Sequence, residues 1–362
     1  MRSVEPPLAE QKRIVARVEQ VLASITAARE RLARVPAILK HFRQAVLAAA
    51  CSGRLTADWR EKHADVDPAH SLLRRIRRSH EKENLGHGGK AAQPSEGVHN
   101  LTEGEIPGTW AIEELQFLCE PRRSITYGIL KPGPNHPGGV PYIRVADFPN
   151  DRLNLNGIRK TTSHIADQYK RSALRAGDVL LSIRGTVGRV CRVPAELDDA
   201  NITQDTARIT VHPEMVADYV ETYLRCRSAQ KRLEAAMKGV AVRGVNIGDV
   251  RVLQVAVPPA DEQREIVRRV EALFNLADTI EKRVAAATAQ AEKLTQAILA
   301  KAFRGELVPT EAELARREGR SYEPTSALLA RVRAERESAS PTKSRPSRLR
   351  TGSRLIRNRQ PR

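Results

Sequence analysis

A fifty-residue stretch occurs twice in this chain, and that repeat limits the available folds more than any other feature. Residues 6–55 begin PPLAEQKRIVARVEQVL and end QAVLAAACSGRL, while residues 258–307 begin PPADEQREIVRRVEALF and end QAILAKAFRGEL. The two align without a gap, with about 19 of 50 positions identical. A shorter echo follows each copy, SLLRRIR at Ser71 to Arg77 against ALLARVR at Ala327 to Arg333. Each copy therefore reads as a long helix, a glycine break at Gly53 or Gly305, a loop and a second short helix.

Apolar residues in the first copy fall at alternating spacings of four and three: Ile14, Val18, Val21, Ile25, Ala28, Leu32, Val35, Leu39, Phe42, Val46 and Ala49. This is the heptad seam of a coiled coil. The second copy is expected to keep it through Ile266, Val270, Leu273, Ala277, Ile280, Val284, Ala287, Ala291, Leu294 and Ile298. A helix of about 40 residues is a rod of about 60 Å that cannot bury one seam against itself, so the other copy is the expected partner. A return of residues 105–257 to the end they left is taken to make the helices parallel, and a domain spanning the rod to make them antiparallel; the sequence leaves this open. Pro36 should kink or break the first helix, since it removes a backbone donor and crowds the preceding turn; Thr288 stands there in the second copy. The Pro-Pro pairs at 6–7 and 258–259 read as helix starts, with Asp261 and Glu262 as first-turn acids. Neither pair has the Asn or Asp before it, or the aromatic after it, of a methyltransferase base-flipping motif.

Between the copies the pattern changes. Residues 84–104 are Gly-rich and polar, a linker by composition. Beyond them come short β-branched runs, Val140 to Val145, Asp178 to Arg184, Gly188 to Val193 and Ala207 to Val211, with turns at Gly177-Asp178 and Gly185-Thr186. Tyr219 to Lys238 reads as one amphipathic helix. The expected fold class is α+β: one α+β domain plus two long helices forming a coiled coil. The expected boundaries are 1–83 for the first helical region, 84–104 for the linker, 105–257 for the α+β domain, 258–337 for the second helical region and 338–362 for a basic disordered tail.

The run Ile106-Pro107-Gly108-Thr109-Trp110, then GVPYIRVADF, LRAGDVLLSIRGTVGRVCRVP, NITQDTARITV and GVNIGDVRVLQVAVPPADEQREIV, resembles a target-recognition domain leading into the helical region of a type I restriction-modification specificity subunit. The resemblance spans about residues 6–83 and 105–337. It implies a non-catalytic, cytoplasmic subunit that chooses a sequence in double-stranded DNA, with methylation subunits supplying S-adenosylmethionine, a motor-nuclease subunit supplying ATP use and cleavage, and no cofactor on this chain. Such subunits usually carry two recognition domains. The single one here leads us to expect a missing first domain, through truncation or through a half-specificity form that pairs with a second chain. A coiled-coil scaffold that only organises partner proteins is the alternative.

Charge agrees with a polyanionic partner. The formal net charge is +18, and eight of those charges lie in residues 338–362 between Lys343 and Arg362, so the body is basic as well. Expected DNA contacts are Arg144, Lys160, Arg184, Thr186, Arg189, Gln204, Arg243 and Asn246, with Arg159, Lys170 and Arg171 as further cations. Cations suit phosphates, and planar donors and amides suit base edges. Arg184 leads because it leaves a strand into a turn. Tyr142 could stack on a base, but an apolar run points it to the core. Cys51, Cys119, Cys191 and Cys226 are scattered without a C-x-x-C pair, which fits a reducing compartment. His87-Gly88-Gly89-Lys90 lacks the spacing and hydroxyl of a phosphate loop, and His63, Asp65, Asp67 and His70 have no matching second metal-ligand pair.

Overall fold

The computed structural model describes residues 6–84, 101, 103–239 and 243–339. Most of the linker, the phosphate-loop-like 87–90 and nearly all of the basic tail lie outside the described residues. Helix α1 runs Leu8–Cys51, followed by α2 (Ala57–Lys62) and α3 (Ala69–Asn84). Then come β1 (Ala111–Glu114), β2 (Thr126–Tyr127), β3 (Val140–Ile143), β4 (Arg159–Thr161), α4 (Ser163–Gln168), β5 (Val179–Ser182), β6 (Val190–Arg192), β7 (Asn201–Ile202) and β8 (Thr206–Ile209). The chain continues through α5 (Ala217–Arg225), α6 (Arg227–Ala235), α7 (Ile247–Arg251), β9 (Gln254–Val257), α8 (Ala260–Phe303), α9 (Glu311–Glu318) and α10 (Thr325–Ala339). No helix among the described residues is long and apolar enough to cross a membrane.

The repeat sets the two long helices. Each has 44 residues, each begins directly after its Pro-Pro pair, and each is followed by a left-handed glycine, Gly53 at φ 75° and Gly305 at φ 73°. In both starts a glutamine amide reaches back to the first proline carbonyl, Gln11 Nε2 to Pro6 O at 2.8 Å and Gln263 Nε2 to Pro258 O at 2.9 Å. Two helices follow each break, not the one short helix expected. Helix α1 is unbroken through Pro36. The proline removes only the bond to the Leu32 carbonyl, its ring is exposed, and buried seam residues resume at Leu39 and Val46.

The chain divides into two compact units. The first holds Met1–Ala33 with Val284–Arg362, and the second Arg34–Arg283. In the first, Arg29 pairs with Glu292 at 3.7 Å and Arg13 with Glu311 at 2.5 Å, while Glu10 Oε2 accepts from the Glu311 backbone N–H at 2.8 Å. Partner numbers fall as the α1 number rises, so the helix segments are antiparallel. Within the second unit Arg43 pairs with Asp278 at 2.6 Å and Arg269 with Asp58 at 2.6 Å, again antiparallel. The expectation that a same-end return gives parallel helices is corrected. Strands β1 and β9 lie antiparallel, Ala111 opposite Val257, so the intervening segment returns where it left, and a chain re-entering at that end must run the other way.

The seam residues of α1 are buried or half-buried except Ala28, and α8 follows the expected register through Val284. Beyond that Leu294 is 45% exposed and Ala287 is exposed, while Thr288 and Thr295 turn inward with Ala291 and Ile298. Both hydroxyls donate to carbonyls four residues back, at 2.9 and 3.0 Å, so these threonines present only their methyl groups to the seam.

Residues 105–257 fall wholly within the second unit. A four-stranded sheet ordered β2-β8-β5-β6 is antiparallel throughout, and a three-stranded sheet ordered β4-β3-β7 pairs β3 with β4 antiparallel and with β7 parallel. The expected strands are present with shifted ends: β3, β5 and β6 are shorter than expected, while β8 begins one residue earlier, at Thr206, and ends at Ile209. The expected helix Tyr219 to Lys238 is two helices, because Cys226 takes an extended conformation (ψ 152°) at the start of α6. Tyr219, Val220, Tyr223 and Leu224 of α5 and Ala229 and Leu233 of α6 join a core that also takes in Val46 and Ala50 of α1 and Ile266 and Val270 of α8.

Candidate nucleic-acid interface

Strand β5 continues past Ser182 into Ile183 and Arg184, and two neighbouring segments fix that extension. The backbone N–H groups of Ile183 and Arg184 donate to the Asp205 carbonyl at 2.8 and 3.3 Å, and Val245 N–H donates to the Ile183 carbonyl at 2.9 Å. Gly244 lies against Arg184: a Cβ there would meet Arg184 Cγ and the Ile183 carbonyl, both at 2.9 Å. Lys238 and Gly244 exchange backbone hydrogen bonds at 2.9 and 3.0 Å, and residues 240–242 are outside the described residues. The result is a fixed backbone under an exposed Arg184 side chain, whose Nη1 donates to Gln204 Oε1 at 3.3 Å.

Arg243 and Asn246 flank Gly244 and are both exposed. Asn246 precedes α7, yet its side chain does not cap that helix. Thr186 is exposed in the turn after Arg184, its carbonyl accepting from Ser182 Oγ at 2.5 Å. Arg184, Thr186, Gln204, Arg243 and Asn246 therefore share one edge, although sequence separates them by up to about sixty residues.

A loop carries that edge toward β4. Gln204 N–H donates to the Ile129 carbonyl at 2.9 Å, and two residues on stands the exposed Lys131. At the far end of this loop the Lys160 N–H donates to Asn135 Oδ1 at 2.8 Å and Thr161 Oγ1 to the Pro132 carbonyl at 2.7 Å, beside an exposed Arg159 and a half-buried Lys160. Lys131 was missed in the sequence; its signal is a cation inside a Pro- and Gly-rich turn run, Leu130 to Gly139.

Several expected cations lie elsewhere. Arg144 is bound to Asp147 through two side-chain bonds of 3.0 and 2.5 Å. Arg189 is half-buried and donates to the Val145 carbonyl at 3.1 Å. Both are half-buried and bonded within the fold. Lys170 is exposed beside Asp167 at 3.4 Å, and Arg171 is exposed next to it. Tyr142 is buried, as its apolar run indicated. His63 stacks on Trp59, and Asp67 pairs with Arg75 at 3.6 Å.

Part of the positive charge is internal. Arg208 is fully buried and donates to the Ser124 carbonyl at 2.9 Å; burial first, then Arg123, lowers its guanidinium to about 10. Asp178 answers that pair, accepting from Arg123 at 3.1 Å, Thr210 Oγ1 at 2.6 Å and the Arg175 N–H at 2.8 Å.

A second node mounts this domain on the helices. The Glu262 carboxylate, fully buried in the first turn of α8, accepts from Thr56 Oγ1 at 2.6 Å, from Trp110 Nε1 at 2.9 Å and from Arg60. Three separated segments thus meet on one acid: the α1 break, the motif ending in Trp110, and the second Pro-Pro start. In the first unit the equivalent acid, Glu10, is also buried and accepts the Glu311 N–H.

An α+β domain with a cation- and amide-bearing edge is thus anchored to the helices through a buried carboxylate. Residues 123–288 match the family described as the type I restriction modification DNA specificity domain. The chain is 35% identical over 343 residues to the EcoBI specificity subunit of Escherichia coli and 31% identical over 347 residues to the EcoKI specificity subunit of Escherichia coli strain K12. These alignments cover 91% of this chain but only 64% and 63% of those relatives. In fold it is similar to a chain from a study of complex assembly and conformational transition of the type I R-M system, with a TM-score of 0.52, 21% identity, and coverage of 83% of this chain and 61% of that one. The chain is thus similar to type I restriction enzyme specificity subunits along most of its own length and spans a little under two thirds of theirs.

Proposed function

We propose that this chain is the DNA sequence-specificity subunit of a type I restriction-modification complex, directing methylation and cleavage carried out by partner subunits. The observation that carries this reading is the edge of Arg184, Gln204, Arg243 and Asn246, held on a fixed backbone by Gly244. Guanidinium groups and amides at such an edge have the donors and acceptors needed for base edges, and Lys131, Arg159 and Lys160 alongside suit phosphates. In this proposal the chain is non-catalytic and cytoplasmic and carries no cofactor; S-adenosylmethionine belongs to the methylation subunits and ATP to the motor-nuclease subunit. Residues 105–257 are the reader, 1–83 and 258–337 the helical regions that meet the partners, and 338–362 adds sequence-independent attraction to phosphate.

One observation favours a second reader packed against the second copy of the repeat. Phe303, at the end of α8, is 91% exposed, while its repeat counterpart Cys51 is buried under the recognition domain. A fluorescence-anisotropy titration of the chain with methylation subunits, over randomised and selected duplexes, tests the proposal. One sequence should outcompete bulk DNA, and Arg184→Ala or Arg243→Ala should weaken that preference. Equal affinity for every duplex, unchanged in the variants, would favour the scaffold reading.

A further inference from the structure

Arg184 and Gln204 are neighbours by strand register as well as by contact. In the β5–β8 pairing Leu180 stands opposite Arg208 and Ser182 opposite Thr206, so the same antiparallel register, carried two residues further, sets Arg184 against Gln204. The Asp205 carbonyl holds the extension there by accepting from both the Ile183 and the Arg184 N–H groups. On the other flank Gly244 forms an antiparallel bridge with Arg184 and brings no side chain. The row across this edge is therefore glycine, arginine, glutamine, and the one lateral side chain beside the guanidinium is the Gln204 amide. Arg184 Nη1 donates to Gln204 Oε1 at 3.3 Å, and Arg184 forms no ion pair among the described residues.

That bond fixes what the pair offers a base. A guanidinium has five N–H donors and no acceptor, so the amide atom turned toward it must be the oxygen. The pair then presents donors: the remaining Arg184 N–H groups and the Gln204 Nε2. An adenine or cytosine amino group brought to the same oxygen would stand hydrogen against hydrogen with the guanidinium. Guanine alone shows two acceptors, N7 and O6, on its major-groove edge. Resting on the DNA-specificity reading above, we propose that Arg184 and Gln204 are a guanine-reading pair. Arg184 donates to O6 and N7 of one guanine, and Gln204 is a positioning residue that steers the guanidinium through Oε1 rather than an adenine reader in its own right.

The full chain with methylation subunits, and a duplex that this complex selects from a randomised pool, test the pair by competition against every single base-pair substitution of that duplex. Arg184→Ala should lose about 5- to 150-fold of discrimination at one base pair and keep it elsewhere, and that pair should be G·C. Replacing its guanine by 7-deazaguanine, which lacks the N7 acceptor, should weaken binding by the wild type and leave binding by Arg184→Ala unchanged. Gln204→Ala, with its thermal midpoint as the check on folding, should relax discrimination at the same base pair and at no other, a confinement that a merely structural role would not produce. An A·T pair at the Arg184 position overturns the proposal, as do a wild type indifferent to 7-deazaguanine and a Gln204→Ala variant with full discrimination; each leaves the specificity reading standing. A complex that prefers no duplex overturns both.

Discussion

Gly244 has no room for a side chain. With the Ile183 carbonyl and Arg184 Cγ both 2.9 Å from where a Cβ would stand, alanine would push the Gly244 backbone off the β5 extension. Gly244→Ala should therefore lower duplex affinity with little change in thermal midpoint, since the clash is at a surface loop rather than in the core; a wild-type binding curve would show that the contact does not place Arg184. Arg184→Ala should remove about 1–3 kcal/mol of discrimination at one base-pair position, measured as the affinity ratio between the preferred duplex and that substitution. At this scale the sequence was only partly legible. Arg184, Arg243 and Asn246 could be read as loop residues of suitable chemistry. That Arg144 is tied to Asp147 three residues on while Arg184 is left exposed could not, because backbone direction decides which guanidinium meets an acid.

Glu262 is the point at which elements are joined, and its environment makes a quantitative prediction possible. Removing the carboxylate leaves the Arg60 cation without its buried partner and Trp110 Nε1 without an acceptor, so Glu262→Ala should destabilise the chain by about 3 kcal/mol in urea unfolding. Trp110→Phe deletes one donor and leaves two, and should cost about 1 kcal/mol. Equal losses in the two variants would contradict this division. Helix α3 adds a pH dependence: Ser79 Oγ lies 2.8 Å from His212 Nε2, and burial, then His80, lowers the His212 ring below its ordinary 6.5. The unfolded chain then binds the proton more readily, so this stability is present above pH 6.5 and is lost as pH falls through that value. The urea midpoint should drop between pH 7.5 and 5.5, and His212→Gln should flatten that drop. Among elements, both long helices could be read from the repeat, as could their Pro-Pro starts and glycine ends. The helix break at Cys226 could not, since an amphipathic pattern continues across it. Nor could the inward Thr288 and Thr295, because a threonine that bonds its own helix counts as polar in a pattern and packs as apolar in a seam.

For the whole chain, the net charge of +18 overstates the cations available to a polyanion. Arg123, Arg208, Arg225 and Arg232 bind acids, carbonyls or a buried hydroxyl within the fold. The logarithm of DNA affinity should fall with that of salt by about 0.9 per phosphate neutralised. On the proposed interface of Arg184, Arg243, Lys131, Arg159 and Lys160, deleting the 338–362 tail should lower the slope without abolishing it. A slope of zero after deletion would place all phosphate contact in the tail.

The ion pair between Arg13 and Glu311 spans 298 residues of sequence, and that separation has a meaning in time as well as in space. A ribosome adding about 5–20 residues per second makes α1 some 15–60 s before the partner of its first turns exists. Through that interval the seam of Ile14, Val18 and Val21 has nothing of its own chain to lie against. The nascent protein must hold an unsatisfied apolar stripe until residue 311 has been made, so slow translation or termination before that point should reveal itself as aggregation rather than as a soluble shorter product.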